Sequence, residues 1–185
     1  MSGQVEQASQ VLAFWFTETQ PRQWFAKDPA FDALVGERFQ GPTRQAIAGE
    51  LDAWSAEPTE ALALVLLLDQ FPRQIWRDTA MAFAGDPQAQ ALSLQALDRG
   101  WVEAEPEEAR RQFWLMPLMH SEDLAVQEAA LPLFERFSNA RTADFAHRHR
   151  DVIGRFGRFP HRNEALGRVS SEAELAFLQT PGSRF

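Results

Sequence analysis

The chain has 185 residues, the length of one ordinary domain, and 45% of them are hydrophobic, which is enough for a packed core. Its net charge of -8 argues against a nucleic-acid-binding protein, because phosphate backbones are bound by basic faces. The lack of cysteine excludes disulfides and thiolate metal sites. The longest aliphatic run, 61–68, is too short to cross a bilayer, and the polar segment 1–10 is unlike a targeting peptide, so we expect a cytoplasmic protein without a membrane partner.

The first half of the chain carries apolar residues at helical spacing. A helix is predicted over about 5–16, and a second begins with Asp28 as its N-cap. We expect the second helix to break or kink at 41–42, where a glycine precedes a proline, and to resume up to Trp54. The segment 58–71 is apolar around most of its circumference, so we expect it at the centre of the fold, surrounded by other helices.

The second half is also predicted to be helical. Helices are predicted over 86–100, 106–115, 121–137 and 142–156, and a capping box of Ser171 and Glu174 opens a last one. Asp86, followed by a proline, is predicted to cap the first of these helices. No stretch alternates convincingly over the length of a strand, so the predicted fold class is all-α. We expect one domain, 1–185, of antiparallel helix pairs with about eight to nine helices and repeat-like stacking, although no 34-residue period is visible.

Four motifs follow one another along the chain. They read Leu-Asp-Gln-Phe-Pro-Arg at 68–73, Met-Pro-Leu-Met-His-Ser-Glu-Asp at 116–123, Arg-Phe-Gly-Arg-Phe-Pro-His-Arg-Asn at 155–163 and Leu-Gly-Arg at 166–168. Together they resemble the bacterial family catalogued as domain of unknown function 924, over essentially the whole chain. The resemblance implies a tetratricopeptide-like helical fold and assigns no activity.

The first polar segment surrounds Asp69, one turn from the predicted end of the central helix, because Pro72 disfavours helix at the preceding residue. A carboxylate there opposes the helix dipole among core residues, so we expect a partner from Arg73, Arg158 or Arg162. Two interpretations are open. The pair locks two helices together, or it holds a carboxylate in a cleft.

The second polar segment is 120–123, which is typical of a helix start. Ser121 is predicted to be the N-cap, with Glu122 and Asp123 in the first turn, where the helix dipole favours acidic side chains. This leaves His120 without a capping role. With an ordinary pKa of about 6.5, His120 is the best general-base candidate, and a structural histidine is the alternative.

The third polar segment, 155–163, concentrates arginines in an acidic protein. The arginines are Arg155, Arg158 and Arg162, with Arg168 further along. Guanidinium groups suit carboxylate or phosphate ligands. The alternative is internal pairing with Asp69, Glu122, Asp123 or Glu164.

Other histidines and motifs carry less information. His149 shares a helical face with apolar residues and is predicted to lie in the core. No His-Glu-x-x-His spacing, glycine-rich phosphate loop or Gly-x-Ser-x-Gly motif occurs, so the sequence predicts no metal and no cofactor.

The three segments predict one polar site, for which three hypotheses are open. The first is a binding module whose cleft takes a small anionic ligand or the carboxylate of a peptide. The second is a hydrolase or lyase that uses a histidine base oriented by a carboxylate. The third is a purely structural network. The candidate ligand-binding residues are Gln70, Arg73, Arg158, Arg162 and Asn163, and the candidate catalytic residues are His120, His161, Asp69, Glu122 and Asp123.

Overall fold

A computed structural model describes residues 2–184, which form helices joined by short connections. The α-helices are α1 (Ser2–Ala13), α2 (Pro21–Trp24), α3 (Pro29–Ile47), α4 (Pro58–Val65), α5 (Phe71–Ile75), α6 (Asp86–Asp98), α7 (Trp101–Ala104), α8 (Glu108–Met119), α9 (Leu124–Phe137), α10 (Ala140–Phe156) and α11 (Glu172–Leu178). Eight of these helices within 2–184 have seven residues or more, and that range contains no strand. The predicted all-α class is confirmed.

Several helices begin where the sequence supplies a capping side chain. The Asp28 carboxylate accepts the backbone N–H of Ala30 at 2.9 Å, directly before α3, as predicted. The predicted capping box of Ser171 and Glu174 opens α11. Each cap satisfies backbone N–H groups that have no partner in the first helical turn, which is why the boundaries follow these side chains.

The predicted break in the second helix is wrong. Helix α3 runs without interruption through Gly41 and Pro42. Its buried residues are Phe31, Val35, Phe39, Thr43 and Ala46, a continuous stripe at helical spacing. This stripe packs against α5 and the turn before it, and that packing outweighs the one hydrogen bond that a proline removes. The chain leaves the helix only after Ile47.

The central segment lies where the sequence predicts it. Helix α4 contacts α1, α6 and α8, and no side chain between Ala61 and Phe71 is more than 4% exposed. Its predicted end at Phe71 is wrong, because a π turn at Leu66–Gln70 leads directly into α5. In an unbroken α-helix the ring of Pro72 would clash with the Leu68 carbonyl, and the wider π turn relieves that clash.

The second half packs its long helices in sequence order. Helix α9 packs against both α8 and α10, and α6 packs against α8. The connections from α8 to α9 and from α10 to α11 approach the π turn, which brings the three polar segments together. Within residues 2–184 no helix combines the length and apolar character needed to cross a bilayer.

Candidate functional site

A carboxylate and an imidazole meet at the centre of the site. Asp69 lies on the π turn and His120 directly follows α8, and 2.7 Å separates Oδ1 of Asp69 from Nδ1 of His120. Gln70 donates to the other oxygen, Oδ2, at 2.6 Å. The Asp69 side chain is 1% exposed and the His120 side chain 13% exposed. The pair lies at the edge of the core, with the imidazole as its more exposed member.

Two arginines join this pair through Asp86, a carboxylate that the sequence analysis did not select. Arg73 donates to both Asp86 oxygens, at 2.9 and 3.1 Å, and Arg162 donates to Oδ2 at 3.0 Å. Nη1 of Arg73 is also 3.5 Å from Oδ1 of Asp69. We call these side chains the Asp69 cluster: Asp69, Gln70, Arg73, Asp86, His120 and Arg162.

Gly85 explains how Asp86 reaches the cluster. The sequence suggested that Asp86 caps α6, but Gly85 occupies the N-cap position and Asp86 is the first helical residue. A methyl group on Gly85 would come closer than 3.0 Å to the Leu68 carbonyl oxygen, so glycine allows α6 to begin against the π turn. The sequence did not point to Asp86 as a site residue, because an aspartate followed by a proline is sufficiently explained as a helix cap.

Arg162 is held between aromatic rings. Its guanidinium carbon lies 4.6 Å from the ring centres of both Phe83 and Phe159, and its side chain is 7% exposed. The flat guanidinium stacks on rings while its N–H groups reach Asp86. The aromatic contacts leave Arg162 little freedom to turn towards another partner.

Side chains also fix the backbone around His120. Gln127 donates to the carbonyls of Met119 and Ser121, at 2.6 and 2.8 Å. Arg162 donates to the His120 carbonyl between them, at 3.1 Å. Three consecutive carbonyls are therefore bonded to side chains, and the imidazole is carried by a loop with a defined position. Gln127 gave no signal in the sequence, since it lies inside an ordinary helical pattern.

A second network surrounds Glu122. Arg168 donates to both Glu122 oxygens, at 2.6 and 3.0 Å, and from Nε to Asn163 at 2.9 Å. The backbone N–H of Phe159 donates to Glu122 at 2.8 Å, and the Asn163 amide donates to Ser170 at 2.9 Å. We call Glu122, Asn163, Arg168 and Ser170 the Glu122 network. It fixes the loop that carries Arg162.

Three predicted site residues lie outside both groups: Arg158, Asp123 and His161, which lines a nearby groove. Arg158 pairs with the buried Glu174 of α11, at 2.6 and 2.8 Å, and is not the partner of Asp69. Asp123 is the N-cap of α9 and accepts from Ala125 at 2.8 Å. The predicted N-cap, Ser121, is therefore wrong by two residues, because its hydroxyl instead accepts from the backbone of Asp123 at 3.2 Å.

Three histidines approach one another around Phe159. The ring centre of His149 is 6.1 Å from that of His120 and 5.5 Å from that of Phe159. The ring centre of His161 is 5.6 Å from that of Phe159. His149 is buried and bonds through Nδ1 to the Phe145 carbonyl at 2.7 Å. Its predicted core position is correct, and it also lies beside the candidate base.

Burial and the arginines keep these imidazoles neutral. Burial lowers the pKa of His120, and the charge of Arg73 lowers it further against the opposing charge of Asp69. Burial would raise the pKa of Asp69, but His120, Arg73 and the hydrogen bond from Gln70 outweigh it and lower the pKa. At neutral pH a neutral His120 therefore donates from Nδ1 to an ionised Asp69, which leaves the lone pair on Nε2.

Burial and neighbouring charges also shift the pKa values of His161 and Arg162. Burial, together with Arg162, Arg73 and His120, lowers the pKa of His161 to about 3. Burial lowers the pKa of Arg162 to about 10, so this guanidinium still carries its charge at neutral pH. The cluster therefore holds two carboxylates and two guanidinium groups, and its formal charges balance.

An open groove of about 370 Å³ lies beside these networks, between the loop after α10 and α11. Its lining residues are Pro160, His161, Glu164, Arg168, Ser170, Leu175, Leu178, Gln179 and Arg184. Of the predicted catalytic residues His161 lines the groove, while the predicted ligand-binding residues lie in or near the networks behind it. The groove was not predicted, because α11 and the loop meet only in the folded chain.

The described residues offer no metal centre. Among residues 2–184, no three His, Asp or Glu side chains lie where they would hold a metal ion together. The three histidines instead face arginines and aromatic rings.

Comparisons with known proteins connect the chain to a family and to a solved structure whose functions are unknown. The family model described as "bacterial protein of unknown function (DUF924)" matches residues 11–182. A solved structure of a protein of unknown function from Agrobacterium tumefaciens is 39% identical, with a TM-score of 0.88, and the match covers 94% of this chain and 97% of that one. A search of curated proteins found no match.

Proposed function

Because the chain belongs to the bacterial family DUF924, whose function is unknown, we propose from the geometry alone that it binds a small anionic ligand in the groove. The observation that carries this proposal is the lining of the groove. Arg168 and Arg184 face the same open space as the apolar side chains Leu175 and Leu178. A concave site with a few polar groups on an apolar wall is the usual form of a small-molecule site.

The other arginines that the sequence predicted to bind a ligand are less suited to it. Arg73 and Arg162 are both bonded to Asp86, and Arg158 is bonded to Glu174. An anion would have to replace these carboxylates and leave them buried without partners, which is costly. Binding by these arginines and by Gln70 and Asn163 stays a prediction, and the groove offers the easier site.

Arg168 is well placed to contact a ligand. Four of its five N–H groups are used by Glu122, Asn163 and the Phe159 carbonyl. Within residues 2–184 no acceptor takes the fifth, on Nη1, so it is left for an anion, and the other bonds hold the guanidinium in place. A group that is already immobilised loses little entropy when it binds.

Titration of the protein with acetate and inorganic phosphate, followed by two-dimensional NMR, tests this proposal. We expect shifts of the amide signals from residues 160–184, and weaker binding after Arg184→Ala. Arg22→Ala, on the exposed surface of α2, is the matched control and should bind as the unchanged protein does. Loss of binding in both variants, or no shift with either anion, would overturn the proposal.

Acid–base chemistry at His120 is the second candidate, and the Asp69–His120 hydrogen bond of 2.7 Å favours it. The carboxylate holds one tautomer of a neutral imidazole, and the lone pair on Nε2 is available to accept a proton. His161, with a pKa of about 3, is a much weaker base.

An activity screen over small esters, amides and β-elimination substrates would find such chemistry. Any activity found should fall by about 100-fold or more in His120→Gln, since general-base catalysis contributes roughly 10²–10⁴-fold. His147→Gln, on the exposed side of α10, is the control. An activity unchanged in His120→Gln would dismiss this candidate.

A further inference from the structure

We propose that the ligand of the groove is a free α-amino acid with a large apolar side chain. This inference rests on the proposed function, because the carboxylate of the amino acid is the anionic group that the groove would bind, and it names the chemical class of the ligand. The groove carries both signs of charge beside an apolar wall, which is the pattern that a zwitterion with a hydrophobic side chain would match.

The charged lining fits the two ends of a zwitterion. Arg184 and the remaining N–H of Arg168 suit a carboxylate. Glu164, on the same groove, suits an ammonium group and would repel a second negative charge. A simple dianion such as phosphate uses only the arginines and is opposed by Glu164, so the lining favours a ligand with one charge of each sign.

The uncharged lining fits an apolar side chain. Leu175 and Leu178 lie three residues apart on one face of α11, and Pro160 lines the same groove. Ser170 and Gln179 supply further hydrogen-bonding groups on the same lining. Leu175 is 53% exposed, so an apolar ligand side chain would remove leucine surface from water.

The size of the groove favours a small ligand. A volume of about 370 Å³ is near the lower end of the roughly 300–1,000 Å³ found for small-molecule sites. That volume suits a ligand of amino-acid size better than a nucleotide or a folded peptide. His161 adds a polar wall without a charge at neutral pH, because its pKa is lowered to about 3.

Four probes separate the contributions to binding: L-leucine, N-acetyl-L-leucine, L-leucinamide and glycine. Calorimetry or NMR titration should show L-leucine binding tightest. Loss of the ammonium or of the carboxylate should weaken binding about threefold to fivefold each, as for exposed ion pairs. Loss of the side chain, in glycine, should weaken it by about tenfold or more.

Two variants identify the residues. Glu164→Gln should abolish the preference for L-leucine over N-acetyl-L-leucine, and Arg184→Ala should abolish the preference for L-leucine over L-leucinamide. Glu37→Gln and Arg22→Ala, on other surfaces, are the matched controls and should keep both preferences.

The outcomes distinguish this inference from the proposed function. If acetate and N-acetyl-L-leucine bind at the groove as tightly as L-leucine, anion binding stands and the amino-acid inference is overturned. If none of the six compounds binds, both are overturned. If L-leucine binds with equal affinity to Glu164→Gln and Arg184→Ala and keeps both preferences, the ligand lies elsewhere and the inference is wrong.

Discussion

The Asp69 cluster and the groove share the loop 159–168, yet they use charged residues in opposite ways. In the cluster each arginine has a carboxylate partner within the protein, and the partly buried Asp86 serves both Arg73 and Arg162. In the groove Arg184 is exposed, and Arg168 keeps one N–H that no described residue accepts. Charged groups that pair with one another inside the protein determine how the chain packs. The groove arginines, whose N–H groups are not all used in this way, can bind a ligand. The following predictions test that difference.

Removal of a cluster carboxylate should have the largest effect. Asp69→Ala leaves His120 and Arg73 without their buried partner, and breaking a buried pair from one side costs about 3–5 kcal/mol. We expect that loss in the free energy of unfolding, measured by urea denaturation. A loss below about 1 kcal/mol would show that the cluster does not hold the fold together, which would contradict the structural hypothesis for these residues.

A methyl group at the start of α6 should be nearly as damaging. Gly85→Ala forces a carbon against the Leu68 carbonyl, which is main chain and cannot turn aside, so we expect a loss of about 3 kcal/mol. Gly41→Ala is the control, because a methyl there meets no described atom within 4 Å and α3 should gain about 0.5–1 kcal/mol. Equal effects of the two substitutions would contradict the close packing of α6 on the π turn.

Acid should destabilise the protein through its buried histidines. In the unfolded chain His161 takes up a proton below about pH 6.5, whereas in the folded protein its pKa is lowered to about 3. The unfolded state therefore binds more protons between these values, and stability falls as the pH decreases. Between pH 7 and pH 5 this amounts to about 2 kcal/mol for His161, at 1.36 kcal/mol per pKa unit.

Comparison of urea unfolding at pH 7 and pH 5 measures that change. The loss on acidification should be smaller by about 2 kcal/mol in His161→Gln than in the unchanged protein. The imidazole of His147 is exposed, so the loss of stability on acidification should be the same in His147→Gln as in the unchanged protein. The same loss in all three proteins would show that His161 is not kept neutral by the fold.

Removal of a groove charge should have the smallest effect on stability. Arg184→Ala should change the free energy of unfolding by less than about 0.5 kcal/mol, as is usual at exposed positions, while it weakens ligand binding. Thermal unfolding and anion titration of the same sample give both numbers. A large loss of stability would place Arg184 among the structural arginines and end the contrast between cluster and groove.

Much of the fold was predictable because helical spacing of apolar residues is a local signal. This spacing predicts the all-α class and the central position of residues 58–71. The caps at Asp28 and Ser171 are local signals as well, carried by the capping side chains themselves. The tetratricopeptide-like pairing and a cytoplasmic location stay predictions. The π turn was missed, since it depends on how Pro72 and the distant Gly85 both approach the same carbonyl.

The site was predictable in its members more than in its pairings. The hydrogen bond of Asp69 with His120 joins two segments that the sequence selected for their polar residues. Asp86 and Gln127 were missed because each has an adequate local role in its own helix. Arg158 was grouped with the cluster since it is close to Arg162 in sequence, but the turn between them sends it to Glu174.

Asp86 is bonded to an arginine thirteen positions before it and to another seventy-six positions after it. Release of either arginine would leave Asp86 with only one of its two cationic partners, so we expect the loop after α10 and helix α5 to open together. Amide hydrogen exchange should therefore give similar free energies of opening for α5 and for the loop after α10. These two segments, distant in sequence, would then unfold locally in a single step.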